Sequence, residues 1–591
     1  MFSRIAENSS QDSNSASMCH LLCAEDRNRA SAQPKKESAT MPAVIVGIVG
    51  AYLAKGESER VLDDLLQLFS GGTGKEAALR EIQKVEKTAE TTQRVSAAIQ
   101  EAIRREGPFT FPEELSETEL ITVTRLDFRV FELTADSLRA ISTRLPHLIE
   151  LNLDKVIVSE EAADTFKQLK KLRYLQLKEL LCPESSRVLA TKIVRKILAC
   201  TPQLKSLDLS YSQLAAEEIQ ELVVRCTELR QLNLSGIDPS VTVATLGKVV
   251  THLPHLADLH LNSISVTKEM LDLLSQLQEL QSLGLQRAQM KDDMLESLAK
   301  CSTLQILSLT HNDDITTVQP LAACFGLEEL DLDSCKNLAS LQGLSACEKL
   351  LSLNLSNCPN IKDFEILSTC INLRKLTLTS SGHLTNLKPL TGCTKLESLR
   401  ICKCEVLSSL EGLSACKELW SLELVFCERI TDFALLSSCT RLRKLTLANF
   451  EQLTGLEPIV GCIELEDLTI YECQALNSLQ GLSAYKKLLS LALVSCKSIK
   501  NFEPLSSCTK LRKLSLIDCD QLKSLQQLAA YTKLEKLDLS GCTALTSLQP
   551  LLTCSQLREL VLPHTWDAPD MQAEKAALQQ ALPRLQFVDH L

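Results

Sequence analysis

Leucines recur at a fixed interval through the C-terminal half of the chain, and the polar positions keep step with them. Leu304, Leu327, Leu350, Leu373, Leu396, Leu419, Leu442, Leu465, Leu488, Leu511, Leu534 and Leu557 stand 23 residues apart. Each opens the phrase L-x-x-L-x-L, as in LEELDLDSC at Leu327 and LEKLDLSGC at Leu534. The alternating part of the phrase is the period of a strand with one buried face. Apolar positions then fall every third residue, as at Leu338, Leu341, Leu344 and Cys347. Side chains three apart eclipse in a 3₁₀ coil, so the spacing predicts a tight return rather than a full helix. A strand and a return of constant length predict a solenoid, in which each turn stacks on its neighbours.

The turns before Leu304 are longer and less even. Openings fall at Val123, Leu148, Leu172, Leu204, Leu229, Leu256 and Leu280, and returns such as SEEAADTFKQLKK and TKEMLDLLSQLQ read as helices. Upstream, residues 1–40 are rich in Ser, Asn, Ala and charge without an apolar period, and are expected to be disordered. They carry Cys19 and Cys23, a spacing that acylated tails also show but that an incidental pair explains more simply. Residues 41–119 are expected to form a helical N-terminal cap, with amphipathic stretches at 57–70 and 74–105. Their apolar run at 42–54 is too short to span a bilayer and lacks a positive flank, so membrane association through it is a secondary reading. GGTGK at Gly71–Lys75 does not make a phosphate loop, because Phe69 and Glu76 stand where Gly and Ser or Thr are needed. The expected plan is thus a tail (1–40), a cap (41–119), long turns (120–303), regular turns (304–565) and a C-terminal cap (566–591), the last with a helix over 570–582.

A longer period lies above the short one. LQGLSACEKLLSLNL at Leu341, LEGLSACKELWSLEL at Leu410 and LQGLSAYKKLLSLAL at Leu479 are 69 residues, or three turns, apart. A three-turn cassette duplicated in tandem accounts for this without any function, although a partner with repeated features would also fit it.

Cysteines follow the same register. Ten, from Cys301 to Cys554, lie three residues before an opening leucine, with Tyr485 and Tyr531 in the two remaining places. Eight, from Cys335 to Cys542, lie eight residues after one. A buried thiol acts as a small hydrophobe and weak donor, and the second ladder falls where the chain leaves the strand and needs such a donor. Neighbouring turns are about 4.8 Å apart, within disulfide reach, yet two regular ladders favour reduced thiols and a cytoplasmic location. A net charge of −11 with no basic block argues against binding nucleic acid by phosphate neutralisation.

With this many copies, the phrase L-x-x-L-x-L-x-x-[NC] resembles the leucine-rich repeat, over roughly residues 120–565. The early turns resemble the ribonuclease-inhibitor type. The later ones are similar to the cysteine-containing repeats of kinetoplastid protozoan proteins, and more loosely to those of F-box adaptors. FPEEL at Phe111–Leu115 resembles an F-box opening, but the first repeat follows too soon for that domain. The resemblance implies an α/β solenoid with a parallel concave sheet, helical on its convex side early and 3₁₀ or turn-like late, and a binding rather than enzymatic role.

No catalytic motif was found among the nine histidines or elsewhere, and no cofactor is expected; the C-x-C at Cys402 and Cys404 is explained by the ladder better than by zinc. Alternation sends the residues between the leucines to the concave side, in two columns that are small, polar and mixed in charge. Larger side chains gather near the middle: Arg400, Trp420, Glu423, Phe426, Lys444, Asp467 and Tyr471 are the candidate protein-binding residues. Trp420 takes the slot of Leu351 and Leu489, so packing explains it as readily as contact with a partner. The expected function is a scaffold binding one or more proteins. Two other readings are a substrate-recognition adaptor of a ubiquitin ligase, docking through residues 42–110, and a surface or secreted recognition protein, which oxidised cysteines would mark.

Overall fold

The computed structural model describes residues 91–588, apart from 92–93, 96, 100, 103–111, 113–114, 121–122, 129–131, 146, 180–186, 213, 238–240 and 569–570. The expected tail, the apolar run at 42–54, the stretch at 57–70 and most of that at 74–105 lie outside the described residues. The chain divides into two compact units, residues 1–264 with 276–283, and residues 265–275 with 284–591.

In the first unit each opening residue is followed, two positions on, by a three-residue strand. These run from Arg125–Asp127 through Glu150–Asn152, Tyr174–Gln176, Ser206–Asp208 and Gln231–Asn233 to Asp258–His260. They pair in parallel with the central leucines in register, Leu126 with Leu151, Leu175, Leu207, Leu232 and Leu259. The returns are α-helices, among them Ala135–Arg144, Ala216–Arg225 and Val243–His252. Thr134 and Thr242 begin two of them by accepting a hydrogen bond from the backbone N–H three residues on, which satisfies a donor that the first helical turn leaves open. Each helix turns its apolar side inward, as with Leu138 and Ile141 or Leu246 and Val249.

The second unit opens with two more α-helices, Lys268–Leu274 and Asp292–Leu298. From Gln319–Ala323 onward every return up to Gln549–Thr553 is a 3₁₀ helix of three to six residues. The change follows from length, since a 23-residue turn leaves no room for three turns of α-helix. Its strands also pair in parallel without slippage, Leu330 with Leu353, Leu376, Leu399, Leu422, Leu445, Leu468, Leu491, Leu514 and Leu537. The strands lengthen from three residues to five between Ser352–Ser356 and Lys513–Ile517. At the C-terminal end the helix Gln572–Ala581 is followed by a short strand, Gln586–Phe587, which pairs in parallel with the last repeat strand, Glu559–Val561.

Both cysteine ladders are buried, and the 21 described cysteines are free thiols. In the ladder before the opening leucine seven of the ten thiols donate toward the previous turn, among them Cys393 to the Leu367 carbonyl at 3.1 Å and Cys462 to that of Leu436 at 3.2 Å. In the ladder after the strand, Cys335 reaches the Leu309 carbonyl at 3.3 Å and Cys358 that of Leu332 at 3.1 Å. The thiols thus add a second, weak donor to carbonyls that already accept a backbone N–H or, at Leu309, the Asn312 amide.

The two tyrosines in the first ladder differ. Tyr531 donates its hydroxyl to the Leu505 carbonyl at 2.5 Å. Tyr485 is equally buried, but its hydroxyl has no protein partner. Tyr531→Phe is therefore expected to lower stability by about 1 kcal/mol, and Tyr485→Phe to leave it unchanged or raise it. Equal losses in urea unfolding would show that both hydroxyls are bonded.

Candidate binding face

The outward-facing residues of the strands form columns, because each strand sits in register with the next. One column runs Ser398, Ser421, Lys444, Asp467, and the next runs Arg400, Glu423, Thr446, Thr469. Five of the seven sequence candidates, Arg400, Glu423, Lys444, Asp467 and Tyr471, therefore lie on one face of four consecutive strands. Arg400 and Glu423 are register neighbours and form an ion pair at 3.3 Å. Exposed as they are, the pair adds little stability; it presents a fixed charge pattern instead.

Strand lengthening creates a third column that L-x-x-L-x-L does not contain. It reads Ser356, Thr379, Cys402, Val425, Ala448, Tyr471, Val494, Ile517, each in register with the next. After two polar residues it turns apolar from Cys402 on, in contrast to the two polar columns beside it. Val425 is 4% exposed and Ala448 fully buried, although both face outward. Burial pushes the Tyr471 phenol up to about 12, the Glu423 carboxylate two turns back and Cys402 three turns back push the same way, and Arg400 opposes them. The phenol is thus within electrostatic reach of the Arg400–Glu423 pair.

The other two candidates lie elsewhere. Trp420 directly follows an opening leucine, at the upstream end of the strand Ser421–Val425 and off the outward columns, and is half-buried. Phe426 lies just past the strand at φ 54, in the left-handed turn that every regular turn makes at this position. That conformation is unusual for a bulky residue. Its N–H continues the ladder to the Ala448 carbonyl at 3.1 Å. Phe426 is half-buried at the downstream edge of the face.

Among the described residues no cluster of three His, Cys, Asp or Glu is placed to hold a metal ion, and no helix is long and apolar enough to cross a membrane.

No family model matches the chain, and no curated protein does. Among solved structures, the chain is similar to TLR13 in its complex with ssRNA13, at 19% identity over 75% of this chain and 78% of that one, with a TM-score of 0.50. It is also similar to a leucine-rich-repeat protein of Leptospira interrogans, at 17% identity over 66% and 97% of the two chains and TM-score 0.47. An internalin of Listeria monocytogenes gives 15%, 79%, 94% and 0.32 in the same order. At such identities the likeness concerns the fold alone. With its parallel ladders and in-register leucines, that fold is the α/β solenoid of leucine-rich-repeat proteins.

Proposed function

We propose that the chain is a protein-interaction scaffold, and that its partner docks on the strand face around Arg400, Glu423 and Tyr471. The observation that carries this reading is the convergence of an Arg–Glu ion pair with a tyrosine that belongs to the neighbouring apolar column. Arg and Tyr are enriched among residues that dominate protein interfaces. Lys444 and Asp467 add opposite charges one strand further on. Tyr471 is half-buried, so it loses less conformational freedom on binding than a fully exposed side chain would.

A nucleic-acid ligand is less well suited to this face. The chain carries a net charge of −11, and a phosphate backbone is bound chiefly by unpaired positive charge. No catalytic role or cofactor is assigned. Unpaired ladders of thiols favour a cytoplasmic setting, and the same ladders support the finer kinship with kinetoplastid cysteine-containing repeats. The adaptor reading differs only in asking residues 42–110 to dock a second protein.

A photo-crosslinking residue at Thr446, between Glu423 and Tyr471, should capture a defined set of proteins in cells. The same residue at Ser438, on a return, should not. Tyr471→Ala is expected to weaken the captured interaction roughly 30-fold, as loss of a hot-spot residue does. Equal capture from both positions, or capture of RNA, would sink this reading.

A further inference from the structure

The residue directly after each opening leucine forms a column outside the proposed binding face, entirely within the second unit. It reads Leu351, Arg374, Glu397, Trp420, Arg443, Glu466, Leu489: an apolar residue, an arginine and a glutamate, repeated every three turns. The arginines and glutamates are ion-paired within the chain, Arg374 with Glu397 and Arg443 with Glu466, and remain partly exposed. Leu489 is 38% exposed.

Such an order is complementary to its own reverse. With a two-fold axis through Trp420, an antiparallel second copy places Trp420 on Trp420, Glu397 on Arg443, Arg374 on Glu466 and Leu351 on Leu489. A second column, three residues upstream, has the same centre. It reads Glu348, Ile371, Thr394, Lys417, Thr440, Ile463, Lys486. Ile371 and Ile463 are more than half exposed, at 55% and 53%. They lie two turns to either side of Trp420, so the same axis brings them together, and it sets Glu348 against Lys486. Other contacts work against the pairing: Lys417, at the centre of the second column, would face itself, and in the column between the two Glu418 would face itself, Lys395 would face Arg441 and Lys349 would face Lys487. Arg441, however, already carries Glu418 as a partner, and Lys395 is bonded to the Asn372 amide.

We infer that this edge is an interface between two copies of the chain, related by a two-fold axis at the Trp420 turn. A two-fold contact requires one patch to complement itself. The first column does so along its whole length and the second at Ile371–Ile463 and Glu348–Lys486, about a single centre, which favours a second copy over an unrelated partner. Seven turns span about 30 Å at the strand spacing, so the contact is at the small end of specific interfaces and the dimer should be concentration-dependent, at roughly micromolar strength.

Sedimentation of the full chain over a range of concentrations tests this. The native protein should move from monomer to dimer with increasing concentration, and high salt should oppose it. Glu397→Arg and Arg443→Glu should each weaken dimerisation at least tenfold. The double variant E397R/R443E should restore it, because residue 397 of one copy faces residue 443 of the other. Within one chain the same double change leaves both native ion pairs broken, so restoration cannot arise from intramolecular pairing. Circular dichroism of all three variants verifies that they fold. A native chain that stays monomeric, single variants that dimerise unchanged, or a double variant no better than the singles would each overturn the inference.

Discussion

Raising the pH from 8 to 10 is expected to unfold the second unit, and the cysteine ladders are the cause. Burial pushes the thiols of Cys301, Cys347, Cys370, Cys496 and Cys554 up to about 11. It pushes those of Cys324, Cys335, Cys358, Cys393, Cys416, Cys462 and Cys473 up to about 12. In the unfolded chain a thiol ionises near pH 8.5. Above that value the folded state binds more protons than the unfolded one, so stability falls as pH rises. The stabilising contribution is whole below about pH 8.5 and is lost progressively toward the folded values near 11 and 12. One pH unit above the unfolded value, each thiol costs about 1.4 kcal/mol, and twelve cost roughly 17 kcal/mol. A typical domain is stable by only about 5–15 kcal/mol. Because stacked turns unfold with their neighbours, thiolate absorbance and loss of circular dichroism should rise together and steeply. Thiolate absorbance that climbs smoothly from pH 8.5 with the dichroism intact would mean that the thiols are exposed to solvent in the folded chain.

The ladders that set this pH dependence were legible in the sequence, since a 23-residue register places each of their cysteines relative to a buried leucine. So were the strands and the change from α-helical to 3₁₀ returns, because a short turn has no length for a helix. The binding face was only half legible. Arg400, Glu423, Lys444 and Asp467 follow from strand alternation. The apolar third column does not, because L-x-x-L-x-L ends at the sixth position. Whether a strand continues to the seventh is decided by pairing with the next turn, as between Val425 and Ala448. Trp420 is conspicuous as a rare residue, yet its slot at the upstream end of the strand separates it from Tyr471. The pattern to which it belongs becomes visible only when turns are compared three apart, through the arginines and glutamates beside it.

Asn312→Ala is expected to cost more than any single thiol of the second ladder, about 3–5 kcal/mol, as breaking a buried polar network does. Asn312 holds the ladder position one turn before Cys335 and is 1% exposed. Its amide donates to the carbonyls of Leu285 at 2.8 Å and Leu309 at 2.7 Å. Its carbonyl oxygen accepts from the N–H groups of Ala288 and Met290, both at 3.0 Å. One side chain thus joins two turns through four bonds at the point where the returns shift from α-helical to 3₁₀. Cys358, by contrast, offers one weak S–H to the carbonyls of Leu332 and Ser356, at 3.1 and 3.4 Å, and Cys358→Ala should cost roughly 1–2 kcal/mol, mostly from lost packing. Asn312→Cys discriminates further. A thiol there can replace a donor but is a poor acceptor for two N–H groups, so this variant should fall close to Asn312→Ala rather than to the native protein. Urea unfolding of the three variants measures the order. If Asn312→Cys matched the native chain, the amide would be an interchangeable member of the ladder, and the four bonds would not be what fastens these two turns.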